Sequence, residues 1–162
     1  MKMSVVYHSV SGNTEKMAQA IIAGAQEVGG VEAKAFSFEA IDGEFLKDSK
    51  CVVFGTPTYL ANMSGAVKAW LDGPSMGYGL AGKLAGAYAT ADYLHGGGEI
   101  AIQTILSHVM VLGMLPYSGG GSQGKPVIHL GPVAFKDKLD ELEELFKLYG
   151  RRMAEKAAEL FG

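Results

Sequence analysis

The sequence predicts an α/β domain in which a doubly wound, five-stranded parallel sheet carries helices on both faces. Short apolar runs alternate with longer segments of helical period, as in repeated βα units around a parallel sheet. The run Cys51 to Phe54 is uniformly apolar, as a strand covered on both faces should be. At 162 residues the chain has the size of one domain, so we expect residues 1–162 to form a single fold.

The first half of the chain alternates strand-like and helical segments. Gly29 and Gly30 end the first helix, and Asn62 or Ser64 can cap the second. Glu39 to Lys50 reads as an acidic connector. The predicted elements are a buried strand at Met3 to Tyr7, a helix at Asn13 to Val28, an edge strand at Val31 to Phe38, a central strand at Cys51 to Phe54 and a helix at Ser64 to Leu71.

The second half continues this alternation. A strand is predicted at Leu84 to Thr90. The helix predicted at Gly98 to Leu112 is apolar nearly all round, so we expect it to be buried on both sides. Leu115-Pro116 and Val127 to Leu130 read as two pieces of a final strand. Asp137 to Phe161 is a long amphipathic helix.

Composition and charge exclude several function classes. The formal net charge of −3 offers no basic field for nucleic acid. The longest apolar stretch, Ile100 to Leu115, is interrupted by polar residues and is shorter than the roughly 18–20 residues that cross a bilayer. With no signal sequence at the N-terminus, we expect a cytoplasmic protein. Cys51 is the only cysteine, so we expect an inert buried thiol and no metal site.

Glycine, at 23 residues, is in excess and falls largely in loops. Two glycine-rich segments, Gly77 to Gly82 and Gly119 to Gly124, fit the dinucleotide pattern G-x-G-x-x-G, but a strand-like run follows each one instead of a helix. The second continues into Lys125 as G-x-x-x-x-G-K. Pro126 then replaces the hydroxyl residue that would hold magnesium and forbids the expected helix. We interpret both segments as flexible connections.

The loop after the first strand predicts a phosphate site. It reads Ser9, Val10, Ser11, Gly12, Asn13 and Thr14, and a helix follows at once. Three hydroxyls, a glycine and the free N–H groups of a helix start together form an anion site. Because the loop has no lysine or arginine, it suits a monophosphate better than a triphosphate with magnesium. Simple capping of the helix by Ser11 or Asn13 is the alternative.

Two further loops follow neighbouring strands of the predicted sheet. They are Gly55 to Met63 and Thr90 to Glu99, each long, rich in small and polar residues and carrying an aromatic. Such loops can flank a flat heteroaromatic ring while backbone N–H groups bond its edge. One phosphate loop and two ring loops at consecutive strand ends predict a flavin mononucleotide (FMN) site.

The same residues carry a resemblance to a known family. Ser9 to Thr14 is similar to the phosphate loop of flavodoxin-like proteins. The run from Gly55 to Asp72, with Gly55-Thr56-Pro57-Thr58 and Asn62-Met63-Ser64-Gly65, resembles the WrbA-type NAD(P)H:quinone oxidoreductase and FMN reductase branch. The likeness continues through Gly96 to Glu99 and spans nearly the whole chain. It departs at Ala91 to His95, where that branch has a shorter turn, and after Pro116, where this chain is shorter.

The resemblance implies a flavodoxin-like sheet of order 2-1-3-4-5 with FMN phosphate on the first loop. It also implies a homo-oligomer, dimer or tetramer, with NAD(P)H as electron donor. His95 is a candidate to stabilise the reduced ring or a plain loop histidine, and Asp92 bonds the ring or caps a turn. The residues implied to contact the ring are Pro57, Thr58, Tyr59, Leu60, Ala61 and Asn62 in one loop and Thr90, Ala91, Asp92, Tyr93, His95, Gly96 and Gly97 in the other.

Three functions are compatible with these features. The first is an FMN-dependent oxidoreductase that passes electrons from NAD(P)H to a quinone or similar small acceptor. In such an enzyme the flavin carries the chemistry, so no catalytic acid–base pair is expected. The second is a flavodoxin-type electron carrier, which the weak charge and apolar loops disfavour. The third is a regulatory or assembly protein that retains only the fold.

Overall fold

A computed structural model describes residues 1–162 as alternating strands and helices. Short 3₁₀ turns at Pro74–Tyr78 and Lys136–Lys138 join some of them. The elements are β1 (Lys2–Tyr7), α1 (Asn13–Gln26), β2 (Glu32–Ser37), α2 (Gly43–Asp48), β3 (Cys51–Tyr59), β4 (Asn62–Met63), α3 (Gly65–Asp72), β5 (Leu84–Ala91), α4 (Gly98–Val111), β6 (Leu115–Pro116), β7 (Val133–Phe135) and α5 (Leu139–Phe161).

The sheet confirms the predicted fold class. Its main path is β2-β1-β3-β5-β6, and every neighbouring pair on it is parallel. The observed strand order matches the predicted order 2-1-3-4-5 in part: this path follows it once the two-residue β4, which only pairs back onto β3 as a hairpin, is left out, and β7 pairs with β5 outside the path. Strand order reverses between β1 and β3, so a cleft opens there at the carboxyl ends of the strands.

Each face of the sheet has its own apolar core. Alternate residues of a strand point to opposite faces, so Val53 belongs to one core and Val52 to the other. Helices α1 and α5 cover the first face, where Ile21, Phe146 and Tyr149 are buried. Helices α3 and α4 cover the second. Cys51 lies in the first core, where burial raises the pKa of its thiol and keeps it protonated.

The last strand differs from the prediction. Residues 127–130 are not a strand, although Ile128 among them is buried. Val133 to Phe135 form β7 instead and pair with Ala89 to Ala91 of β5, beyond the short β6 pairing at Leu84 and Ala85. The segment between β6 and β7 therefore leaves the edge of the sheet and returns to pair with β5 nearer its carboxyl end.

Helix α4 also differs from the prediction, because it is buried on one side only. Ala101, Ile105 and Val109 face the core, while Met110 and Val111 are exposed.

No helix of the protein has both the length and the apolar character needed to span a bilayer. Nowhere in the chain do three or more His, Cys, Asp or Glu side chains group in a way that could hold a metal ion.

The predicted acidic connector contains the helix α2. Asp42 caps its start by accepting a hydrogen bond from the Phe45 N–H at 3.0 Å. At its end, the buried Lys83 ammonium donates to the carbonyls of Leu46 (3.1 Å), Lys47 and Ser49 (2.7 Å). Burial lowers the pKa of Lys83. One lysine directly before β5 thus donates to three carbonyl groups at the end of the helix and just beyond it.

We predict that Lys83→Met destabilises the protein by about 2 kcal/mol, because the buried carbonyls at the end of α2 lose their donor. Chemical denaturation of the variant would measure this change. Lys50→Met, at an exposed position beside the same strand ends, is the matched control and should change stability by less than about 0.5 kcal/mol. Equal losses in the two variants would contradict the assigned role of Lys83.

Candidate functional site

The loop between β1 and α1 leaves backbone donors free at the helix start. Gly12, with φ of 88°, is the N-cap residue, and no side chain caps the helix from that position. Ser9 Oγ accepts from the Glu15 N–H at 3.3 Å, and the Gly12 carbonyl accepts from the Lys16 N–H. No group of the chain accepts from the N–H of Asn13 or Thr14. These two donors and the helix dipole form a site for an anion.

A buried network fixes this loop against the next strands. Thr14 is buried, and its Oγ1 lies 2.8 Å from Thr90 Oγ1 on β5. The Tyr88 hydroxyl donates to the Thr14 carbonyl at 2.8 Å. Burial raises the pKa of Tyr88 well above its usual value, so this donor stays protonated. A side chain on Gly55 would collide with the Tyr88 ring, so glycine there leaves room for this contact.

The second predicted loop is largely strand, because β3 continues to Tyr59 and turns directly into β4. Tyr59 pairs with Asn62, which leaves a two-residue turn of Leu60 and Ala61. Both have positive φ, 49° and 59°, a conformation usually reserved for glycine or asparagine in this turn type. Leu60 is fully exposed at the tip. A strained turn of this kind persists only where surrounding structure holds it, and such strain is typical of ligand sites.

The base of this hairpin is held by hydrogen bonds. Thr56 Oγ1 accepts from the Ser64 N–H at 2.9 Å, and Ser64 Oγ accepts from Val67 N–H to cap α3. His8 Nδ1 lies 3.0 Å from the same Ser64 oxygen. The His8 ring also stands edge-on to Tyr59, with centroids 6.5 Å apart. His8, directly after β1, and Ser64, the residue before α3, therefore help to set the position of Tyr59.

The third loop, between β5 and α4, faces the hairpin. Ala61 contacts Gly97, where a side chain would stand only 2.5 Å from the Ala61 methyl group. Asp92 pairs with Lys136 at 3.3 Å, and the Lys136 ammonium lies 5.9 Å from the centre of the exposed Tyr93 ring. The only carboxylate that lines the cleft thus has a cation beside it.

The three loops enclose one cleft of about 320 Å³, a volume within the usual range for small-molecule sites. One atom in it has no partner: Thr58 Oγ1 is buried and makes no hydrogen bond within the protein. Such a group is costly unless a ligand satisfies it. The lining residues are Val10, Ser11, Asn13, Thr14, Pro57, Thr58, Tyr59, Leu60, Ala61, Thr90, Ala91, Asp92, Tyr93 and Gly96.

Five residues of the predicted site do not line this cleft. Asn62 Oδ1 accepts from Met63 N–H and from the Thr104 hydroxyl, so its side chain joins β4 to α4. Gly12 and Gly97 start α1 and α4 with positive φ, and Ser9 supports the first turn of α1. His95 is exposed outside the cleft. These positions shape the loops or lie beside them.

Sequence reasoning missed several residues that position the cleft. Lys136 comes from the segment after β7, far along the chain from its partner Asp92. Tyr88 lies in β5 and His8 directly follows β1, and in the sequence both are typical of structural residues. Only their pairing with loop groups reveals a role, and no local pattern signals that pairing.

Fold and cleft together define a class: doubly wound α/β proteins with free backbone donors at the helix start after the first strand and a cleft at the neighbouring strand ends. Two family models match the chain, described as NADPH-dependent FMN reductase over residues 43–123 and as Flavodoxin over residues 5–73. The first model alone covers half of the sequence.

Individual relatives agree with these models. A flavodoxin from Clostridium saccharobutylicum is 43% identical over 99% of this chain and 100% of its own length. An NAD(P)H dehydrogenase (quinone) from Solidesulfovibrio magneticus is 34% identical over 75% of each chain. The crystal structure of a flavodoxin, WrbA-like protein from Agrobacterium tumefaciens superimposes with a TM-score of 0.79 at 26% identity, over 98% of both chains. The chain belongs to the flavodoxin-like family, in the branch of WrbA and FMN reductase proteins.

Proposed function

We propose that the protein binds FMN in this cleft and transfers electrons through it. The unpartnered Thr58 hydroxyl carries the proposal, because it is a buried polar atom of a residue that lines the cleft, and no group of the protein satisfies it. Thr58 belongs to one of the two loops that would hold a flavin ring. Family membership supports the same ligand. When bound, FMN supplies the acceptance and delivery of hydride or single electrons, and the protein positions it and tunes its electronics.

The first loop would hold the phosphate. Asn13 and Thr14 offer free backbone N–H groups, and the exposed Ser11 hydroxyl has no partner in the chain. All these donors are neutral, so the helix dipole supplies the only positive potential within the loop. This donor set fits a monophosphate ester, which is the phosphate that FMN carries.

The other two loops would hold the ring. Tyr59 and Tyr93 are partly exposed aromatic side chains on opposite loops that line the cleft. Aromatic faces stack on a flat ring, and Thr58 with backbone groups can bond its polar edge. Lys136 offsets the charge of Asp92, which alone would oppose negative charge on a reduced flavin. With Lys136 beside it, Asp92 should therefore oppose reduction of the flavin less than an unpaired carboxylate would.

We propose that NAD(P)H donates the electrons and that a small, apolar molecule such as a quinone accepts them. Exposed apolar side chains line the cleft, with Val10, Leu60 and Tyr93 each more than two-thirds exposed. Such a patch suits an apolar acceptor better than a charged one. Relatives named NAD(P)H dehydrogenase (quinone) support this route. We further propose a homo-oligomer, for which the exposed apolar side chains of α4, Ile100, Met110 and Val111, offer a surface.

Steady-state assays of FMN-loaded protein with NADH, NADPH and a panel of quinones test this route. We expect turnover with at least one donor and acceptor, measured as oxidation of the reduced nicotinamide. Leu60→Ser should lower kcat/KM for the more apolar quinones first, because it removes apolar surface at the cleft mouth. Absence of turnover with every pair would contradict the enzyme proposal.

A second candidate is a flavodoxin-type electron carrier. The flavodoxin from Clostridium saccharobutylicum, which matches essentially the full chain, specifically favours it. A carrier would take up electrons in two well-separated one-electron steps during reductive titration and would show no quinone turnover. An enzyme that accepts hydride would show turnover and a single two-electron step. Protein that purifies colourless and refuses added FMN would point to a regulatory or assembly role.

We predict that Ser11→Ala weakens FMN binding about tenfold and leaves riboflavin binding unchanged, because only FMN carries the phosphate that this hydroxyl would bond. Fluorescence titration of the flavin-free protein measures both constants. Ser107→Ala is the control, since that hydroxyl on α4 only donates back to the Gln103 carbonyl. Equal losses for the two flavins in Ser11→Ala would show that the loop merely supports the fold.

A further inference from the structure

A second polar pocket lies where α5 meets the glycine-rich segment 119–125. Its volume is about 350 Å³. None of its residues lines the cleft described above. The lining residues are Gln123, Lys125, Leu148, Arg151, Arg152 and Glu155. Three cations and one carboxylate therefore face one pocket, in a chain whose net charge is −3.

Arg152 is the unusual member of this group. Its side chain is 95% buried, since only 5% of the residue remains exposed. Nη1 donates to the Pro126 carbonyl and Nη2 to the Gln123 carbonyl, each at 2.9 Å. No carboxylate pairs with it, although the guanidinium carries five N–H donors and a full charge. Buried charges are normally paired, so Arg152 lacks a counter-ion.

The one carboxylate of the pocket, Glu155, faces Arg151 and not Arg152, and the two other cations are only loosely held. Arg151 faces Glu27 at 3.5 Å and Glu155 at 4.0 Å, and these side chains are about half exposed. Exposed pairs of this kind contribute little, so Arg151 can turn toward a ligand. Lys125 is exposed and has no ion pair.

We propose that this pocket binds a phosphate group, with Arg152 as its buried anchor and Lys125 and Arg151 as its mobile cations. A phosphate ester carries about −1.5 to −2 at pH 7, which matches the pocket's excess of two positive charges. Arginine also presents paired donors that fit phosphate oxygens. The G-x-x-x-x-G-K segment thus contributes to an anion site through side chains, and not as the nucleotide loop that its pattern imitates.

The test is a phosphate titration of FMN-loaded protein at constant ionic strength, monitored by ¹⁵N-resolved nuclear magnetic resonance. One equivalent of FMN, with no free excess that could compete for the second pocket, keeps phosphate out of the first loop, and residue-resolved signals separate the two sites if FMN binds poorly. Inorganic phosphate and adenosine monophosphate are compared with adenosine. We expect saturable shifts at residues 123–125 and 151–152 with the first two ligands, and none there with adenosine.

Charge-matched variants make the result specific. Lys125→Gln combined with Arg151→Gln should weaken phosphate binding about tenfold. Lys50→Gln combined with Lys138→Gln removes the same charge at exposed positions elsewhere and should leave it unchanged. Arg152 itself is kept, because it also ties two carbonyls of the segment. Equal weakening in both double variants, unsaturable shifts, shifts confined to residues 9–14, or equal binding of adenosine would overturn the proposal.

Discussion

Gly150→Ala is expected to destabilise the protein by about 3 kcal/mol, even though alanine favours a helix over glycine. Gly150 lies in α5, where a side chain would overlap the backbone carbonyl of Ile21 in α1. Gly24 of α1 is equally close to α5, since a side chain at this position would overlap the Lys147 carbonyl. Two backbones in this contact cannot move apart without opening the core that covers one face of the sheet. Urea denaturation measures the loss.

Gly29→Ala is the matched control for this prediction. Gly29 has open space around its α-carbon and no positive φ, so alanine there should change stability by less than about 1 kcal/mol in either direction. If Gly150→Ala proved as stable as the parent protein, the close approach of α1 and α5 would be wrong.

Thr58→Val is expected to have opposite effects on the empty and the FMN-loaded protein. Without ligand, the variant loses a buried hydroxyl that has no partner, so the protein should gain about 1 kcal/mol in stability. With ligand, the lost hydrogen bond should weaken the binding of both FMN and riboflavin by about 30-fold. Thermal unfolding of the flavin-free protein and fluorescence titration with each flavin separate the two effects.

Thr58→Ser keeps the hydroxyl and serves as the conservative control. It should retain most of the affinity for both flavins. The comparison with Ser11→Ala is equally informative, because that variant should affect FMN alone. Loss of stability in flavin-free Thr58→Val would mean that this hydroxyl has a partner within the protein and needs no ligand to satisfy it.

The sequence by itself predicted the fold class and the three loops that meet at the cleft. Uniform apolar runs such as Cys51 to Phe54 and the helical spacing of α1 and α5 are local signals, and parallel strands bring their carboxyl-end loops to one edge. Fourteen of the proposed site residues line the cleft for that reason. Whether they bind FMN remains a prediction that the substitutions above address.

Only the tertiary structure decided how separate segments meet. The positive φ values of Leu60 and Ala61, the pairing of Asp92 with Lys136 and the unpartnered Thr58 hydroxyl all depend on contacts between distant segments. The burial of Arg152 also depends on such contacts, because in the sequence this residue is only one of several charged residues of an amphipathic helix.

Two of the errors in the predicted fold have the same physical origin. The expected strand at 127–130 has suitable residues, but β5 pairs with 133–135 instead. Helix α4 is apolar enough to be buried all round, yet its neighbours cover one side only. Hydrophobic patterning determines which segments form strands and helices, because it depends on near neighbours in the chain. Which surfaces become covered, and which polar groups find partners, depends on packing between distant segments and was decided only by the folded chain.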